Sequence, residues 1–369
     1  MLQPPGFNFK NIKNTTTMAR KKFTPHLLIS ISLLSFACGP AKTVTFTVTQ
    51  PAEITMPAAA STMLLIDRTK LSSEMLNMLE GLLTGELPAD DKAAAQQALM
   101  SLKNQLNYSP RFNVKILPDR FIGNSMTTAF PETLGWAFIN QLCVANQSEI
   151  VVALEVFDSN FIITNGTRIK KKSVGEGTSA QEINYTEYYA QGVGGVKMGW
   201  RTYDNKNKTI VDQQMISSNN TWEACGTSPT DAVALLISKS NANKYLAGKV
   251  GNNYAYKISP MPVTISRPFY GKSKQLPEVA EGARYADVNQ WDKAIEAWKR
   301  GLSKAEPKEA GNLAYDIAIG YEVLADYETA LKWAQDSYTK YGNRNGRQYV
   351  YDLQNRINEE AVLKRQMNK

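Results

Sequence analysis

The sequence predicts an α+β protein: a mixed α/β, sandwich-like domain followed by an all-α module of helical repeats. Three observations carry that expectation. Short apolar runs such as TMLLIDR (62–68) and SEIVVALEVFDS (148–159) lie between segments whose apolar residues recur at three-to-four spacing. Strand-like runs flanking NKN at 205–207 then give a hairpin signal. From Leu276 onward no run alternates with period two.

Taken in order, TMLLIDR reads as a buried strand, and Met75, Leu76, Met78, Leu79, Leu82 and Leu83 mark a helix face. A second helix, LPADDKAAAQQALMSLKNQL, follows a break at Pro88, because proline starts helices but does not sit inside them. RFNVKILP (111–118) alternates as a strand, and PETLGWAFINQLCVANQ (131–147) is an amphipathic helix with Pro131 in its first turn. SEIVVALEVFDS is the strongest strand. The cluster Arg168, Lys170, Lys171 and Lys172 reads as part of a solvated loop. INYTEYYAQGVGGVKMGWRTYD and KTIVDQQMISS form the hairpin, in which GVGG (192–195) marks a bulge. SPTDAVALLISKSNANKYLAG is a helix bounded by Ser228–Pro229 and Gly248, and PVTISRPFY is a last strand with an exit.

The C-terminal part repeats. EGARYADVNQWDKAIEAWKRGL aligns with NLAYDIAIGYEVLADYETALKWAQDSY at an offset of 36, placing Tyr285 over Tyr321 and Ala294 over Ala330. This resembles tetratricopeptide repeats, whose unit is ~34 residues of paired helices with small residues at the crossing. The resemblance puts Ala294 and Ala330 at the tightest approach and Tyr285 and Tyr321 between the helices of each pair. It departs where Gly282 stands at a position that the second repeat gives to Ala318. Two repeats cover their own faces poorly, so residues 346–369 are expected to cap the array. The expected boundaries are a domain over 61–266, a linker over 267–275 and the repeat pair over 276–345.

The N-terminus carries an address. Arg20, Lys21 and Lys22 precede an apolar run too short to cross a bilayer, as in a secretory signal starting at Met18. Ala37 before Cys38 resembles the bacterial lipobox, with Ser35 where leucine is usual. The resemblance implies cleavage of 1–37, acylation of Cys38, a tether over 38–60, and a place in the cell envelope on the periplasmic face of the outer membrane. Residues 1–37 hold five of the 42 basic residues and no acidic ones, leaving 37 against 34 in the mature chain. No basic stripe stands out, so nucleic acid is not an expected partner. The lone histidine, His26, leaves with the signal, which removes imidazole-based catalysis and the usual nitrogen ligand of zinc. No metal or cofactor is expected. Cys143 and Cys225 are either bridged or two buried thiols.

PAEITMPAAASTMLLIDRT, SPRFNVKILPDR, MGWRTYDNKNKTIVDQ, SPMPVTISRPFYG, the lipobox and the repeat pair together resemble a family of uncharacterised lipoproteins from gut-type Gram-negative anaerobes, whose central domain has no assigned function. The early strand–helix order is similar, in topology alone, to the periplasmic domains of the curli-secretion lipoprotein and of lipoprotein activators of cell-wall synthases.

The carboxylates Asp67, Glu132, Glu149, Glu155 and Asp158 are the acid–base groups left, and no spacing among them singles out a glycosidase pair. First-turn and strand-end acids are common without a catalytic role. Tyr185, Tyr188, Tyr189, Trp200 and Tyr203 suit cross-strand packing or a binding face. In the repeat pair, Arg284, Asp287, Asn312, Tyr315 and Glu322 form a polar set fit to hold an extended peptide, unless the short array merely docks on the first domain. The expected function is therefore a non-catalytic, lipid-anchored envelope protein with a protein partner; the alternative is a carboxylate-dependent envelope hydrolase acting on glycan or peptidoglycan.

Overall fold

Thr43, Thr45 and Thr47 alternate with Val44, Phe46 and Val48, a period-two pattern of β-favouring residues. In the computed structural model, which describes residues 42–72, 88–123, 129–175 and 181–367, this stretch is strand β1 (Lys42–Gln50). It pairs antiparallel with β7 (Met261–Phe269), Lys42 opposite Phe269 and Gln50 opposite Met261. The threonines are exposed and the valines and Phe46 half-buried. The expected tether over 38–60 is thus corrected from Lys42 onward. Beyond the strand, Ala52, Met56 and Ala60 are buried, and Arg111 donates to the carbonyls of Met56 and Pro57.

A five-stranded sheet forms the body, in the order β3-β2-β4-β5-β6. Its strands are β2 (Thr62–Lys70), β3 (Asn113–Ile122), β4 (Ile150–Val174), β5 (Gln181–Asp204) and β6 (Thr209–Gly226). The β3-β2-β4 pairings are parallel and the rest antiparallel. The apolar run of β2 is buried on both faces, as a central parallel strand requires. On one face Met63, Leu65, Val152, Leu154, Met198 and Trp200 pack beneath helices α1 (Pro88–Leu106) and α4 (Lys239–Ile258). On the other, Leu64, Ile66, Val151 and Ala153 meet Ile139, Leu142 and Cys143 of α2 (Trp136–Asn146). The alternation of β2 therefore feeds two cores, each large side chain contributing roughly 1.5–3 kcal/mol when fully buried. Gly251 lets α4 approach α1 closely, because a β-carbon there would overlap the Ala98 carbonyl.

Two helix boundaries differ from expectation. Residues 131–135 are not helical, and α2 starts at Trp136, because the backbone ahead of it is used elsewhere: the Pro131 carbonyl accepts from Arg201, and the Leu134 N–H donates to the Tyr203 hydroxyl. The single helix expected from Ser228 to Gly248 is two, α3 (Pro229–Leu235) and α4. Ser238 caps α4 by accepting from the Asn241 N–H. Gly248 lies inside α4, where it faces Ser101 of α1. The helix expected around Met75 to Leu83 falls outside the described residues.

The strand expected to end near Ser159 instead runs 25 residues to Val174, and β5 runs 24. Beyond the root of the sheet they form an arm with β6. The basic cluster Arg168–Lys172 therefore sits in a strand and not in a loop; cross-strand partners for both backbone and charge hold it extended.

The C-terminal segment is all helix: α5 (Pro277–Asp287), α6 (Trp291–Leu302), α7 (Pro307–Val323), α8 (Tyr327–Thr339) and α9 (Arg344–Gln366). Ala294 and Ala330 are fully buried, while Tyr285 and Tyr321 are half-buried under Lys293 and Lys299. Gly282 departs from Ala318 for a steric reason: a β-carbon there would overlap the Trp298 indole. The linker expected over 267–275 begins as part of β7, and Phe269 is buried against Trp291 and Trp298. The far end of α9 returns to the start of the body, where Gln366 exchanges hydrogen bonds with both backbone groups of Ala52. Residues 40–369 form one compact unit. Among the described residues no helix is long and apolar enough to cross a membrane.

Candidate functional site

The five residues expected to line a peptide groove do not share one open surface. Arg284 is exposed, Asp287 forms an ion pair with Lys42 of β1, and Asn312 is half-buried beside Asn343. Tyr315 is 7% exposed, with rings of Tyr270 and Tyr349 against it. Glu322, 2% exposed, accepts both Nε and Nη2 of Arg267 at 2.9 Å and the Tyr349 hydroxyl at 2.6 Å. The five therefore do not form one groove: Tyr315 and Glu322 are covered by β7, Tyr270 and α9, while Arg284 and Asp287 stay on the surface. Burial works against the Arg267 charge, but Glu322 outweighs it and raises the guanidinium pKa. Tyr315 is pushed up to about 12, chiefly by burial.

Cys143 and Cys225 are free. Cys143 lies in the α2 core, where burial raises its pKa. Cys225 is exposed and pairs in register with Tyr189, fourteen residues along β5 from the Tyr203 that shares the Cys143 core. That separation is about 46 Å of strand, far beyond the ~7 Å between α-carbons that a bridge tolerates. Cys38 lies outside the described residues.

At the root of the arm the sheet carries buried charge. The register slips between Leu154 and Val156, so Glu155 sits in a β-bulge, which re-aims its side chain. Glu155 is fully buried; one oxygen accepts from Arg68 at 2.9 Å and from the Tyr203 hydroxyl at 2.6 Å. Arg201 approaches the other oxygen to 2.5 Å as an ion pair outside hydrogen-bond alignment. Arg201 is also held by Gln213, by the Pro131 carbonyl and over the Phe130 ring. Burial, then the Glu155 contact, raises the Tyr203 pKa. The cluster ties β2, β4, β5 and the segment before α2 together where the arm begins.

The other candidate carboxylates are committed or dispersed. Asp67 accepts Arg120 at 2.7 Å and two donors of Thr69. Glu149 accepts the N–H groups of Ser61 and Thr62, while Asp158 on β4 and Glu132 in the segment before α2 are exposed. A cleft of about 340 Å³ between α1 and β3 is lined by Asp67, Gln96, Gln97, Ile116 and Arg120. Its two charges neutralise each other. Among the described residues no cluster of acids, cysteines and histidines has the makings of a metal site.

The arm is the surface that sequence reasoning missed. The expected hairpin aromatics divide between its faces. Trp200 stacks on Tyr254 in one core and Tyr203 lies in the other, while Tyr185 and Tyr189 sit under Lys172 and Arg168 on the face away from α4. On that same face Arg168 bridges Glu187 at 2.6 Å and Glu223 at 2.7 Å, and Lys170 adds to Glu187. These partners, Lys170 first, hold Glu187 at a pKa of about 2 despite some desolvation. Ile162 and Val193 pair in the open, 62% and 44% exposed. The pairing of β2 with β4 ends at Leu154, so among the described residues the outer edge of β4 from Val156 to Val174 has no neighbouring strand. The detectable signal was the unbroken β-favouring run Phe161–Ile162–Ile163–Thr164, continued past Gly166 by Ile169.

The family model described as domain of unknown function DUF8603 matches residues 61–270, and the one described as domain of unknown function DUF6340 matches residues 280–359. No curated protein matches the chain. Among solved structures, the chain is similar to the PelC dodecamer from Paraburkholderia phytofirmans, at 10% identity over 58% of this chain and 98% of that one, with a TM-score of 0.24. It is also similar to the hypothetical protein CT253 from Chlamydia trachomatis, at 13% identity over 53% of this chain and 93% of that one, with a TM-score of 0.21. Likeness at this level says nothing about what the chain does.

Proposed function

The chain belongs to the family of the domain of unknown function DUF8603, which spans its sheet body, and from that premise we propose a lipid-anchored cell-envelope protein that works by protein contact and not by catalysis. Acylated Cys38 holds it to the periplasmic face of the outer membrane. The helical segment is a tetratricopeptide-like repeat pair. Its 36-residue offset and the buried Ala294 and Ala330 support that reading, and Tyr315 and Glu322 of its polar face are covered by β7 and α9. The contact site is then the arm. The observation that carries this is the outer edge of β4 beyond Leu154, which among the described residues has no neighbouring strand and so offers a template for an added strand. The occupant is an extended segment of a partner protein.

Placing a photo-crosslinking residue at Thr164 or, separately, at Asn312 in intact cells tests the reading. A discrete protein adduct at 164 and none at 312 is expected. Adducts at 312 alone would return the contact to the helices. Glycan release by the purified protein, abolished in Asp158→Asn, would favour the hydrolase instead.

A further inference from the structure

Resting on the reading that Cys38 is acylated, we infer that the chain stands on the membrane in one orientation, with the Lys42 end of the β1–β7 ribbon against the phospholipid headgroups and the sheet body held away from them. The argument starts from covalent length. Four residue steps separate Cys38 from Lys42, and four steps span at most about 15 Å whatever their conformation. A flexible tether over 38–60 would have let the body tumble. With β1 starting at Lys42, the leash is too short for that.

The surface around Lys42 suits the role. Lys42 pairs in register with Phe269, Gly271 lies so close that a β-carbon there would sit 2.8 Å from the Lys42 side chain, and Asp287 is its ion-pair partner. The loop after β7 and the end of α5 therefore share this end of the molecule. On them Lys272, Lys274 and Arg284 are exposed and, among the described residues, free of any ion pair, and Val288 is 62% exposed. Asp287, at the end of α5, is already paired with Lys42. Unpaired cations within a leash comparable to the ~10 Å screening length of salt water feel a phosphate-rich surface strongly.

The rest of the fold points the other way. The ribbon runs eight residue steps, about 27 Å, from Lys42 to the end where Met261 joins the main core. Helix α4 then leads from that junction, past Tyr254 against Thr202, to Leu246 beside Gly194 on the arm. The arm thus leaves the sheet at the end opposite to the ribbon.

The test uses the acylated full-length protein in vesicles of zwitterionic and anionic phospholipid carrying a headgroup-bound fluorescence quencher. One fluorophore goes on native Cys225. The other goes on Ser273→Cys in a Cys225→Ser background; Cys143 is buried and stays unlabelled. Severalfold stronger quenching at 273 than at 225 is expected. Lys272→Glu with Lys274→Glu should weaken it, and inserting about twenty Gly/Ser residues before Lys42 should abolish the difference. Equal quenching at both positions, on protein whose intact mass shows the acyl chains, would overturn the orientation and leave the anchor standing. Absence of the acyl mass would remove the anchor itself.

Discussion

Two carboxylates, one at the root of the arm and one along it, each meet two basic side chains, and they differ in almost everything else. Glu155 is fully buried between Arg68 and Arg201, whereas Glu187, its side chain 13% exposed, meets the more open Arg168 and Lys170 on the arm. In the core, solvent cannot replace a lost partner, so removing the acid strands two guanidinium groups. On the arm, water and salt take over and the ion pairs add little. The same chemistry therefore locks the root and merely decorates the arm.

The largest effect that bears on this contrast is Glu155→Ala, which should cost about 3–5 kcal/mol in a urea titration; a change near zero would make the root cluster dispensable. Glu322→Gln, at the second buried carboxylate, should cost about 2–4 kcal/mol. If the ribbon is held there, it should also increase protease cleavage near Arg267. Gly282→Ala tests packing without charge, and overlap with Trp298 should cost about 1–3 kcal/mol, visible as a lowered Tm.

Asp316 sharpens the comparison through pH. It is fully buried with one oxygen unpartnered, and burial raises its pKa well above the ordinary range, with the Tyr270 N–H pulling the other way. A raised folded-state value means that its contribution is complete below about pH 4 and is lost as pH rises. Asp316→Asn should therefore gain stability relative to the parent as pH increases from 4 to 8, and parallel pH profiles would contradict this. Least of all, Glu187→Gln should leave the denaturation midpoint at neutral pH almost unmoved. Its lowered pKa means that whatever it contributes is present above about pH 4.5 and fades as pH falls through about 2.

The sequence determined the kinds of element and most of their order. TMLLIDR and EIVVALEV had to be buried strands, since a continuous apolar run of that length is stable only with both faces covered. Ala294 and Ala330 had to lie at helix crossings, and NKN had to turn a hairpin, though the positive φ falls on Lys208 beyond it. Even β1 is written in its alternating threonines, although the strand that pairs with it, β7, lies far along the chain. Tertiary structure decided what each polar residue is for. Tyr315 and Glu322 look like a groove from one chain segment, yet Arg267 of β7, 55 residues from Glu322, closes over it. Pro131 looks like a helix start until Arg201 claims its carbonyl. The arm keeps its strand conformation through Lys172 because Ile183 and Tyr185 lie across from it. Local patterns record which backbone geometry a segment prefers, while the partner of a charge or a strand edge depends on which distant segment arrives beside it, and no short window of residues contains that information.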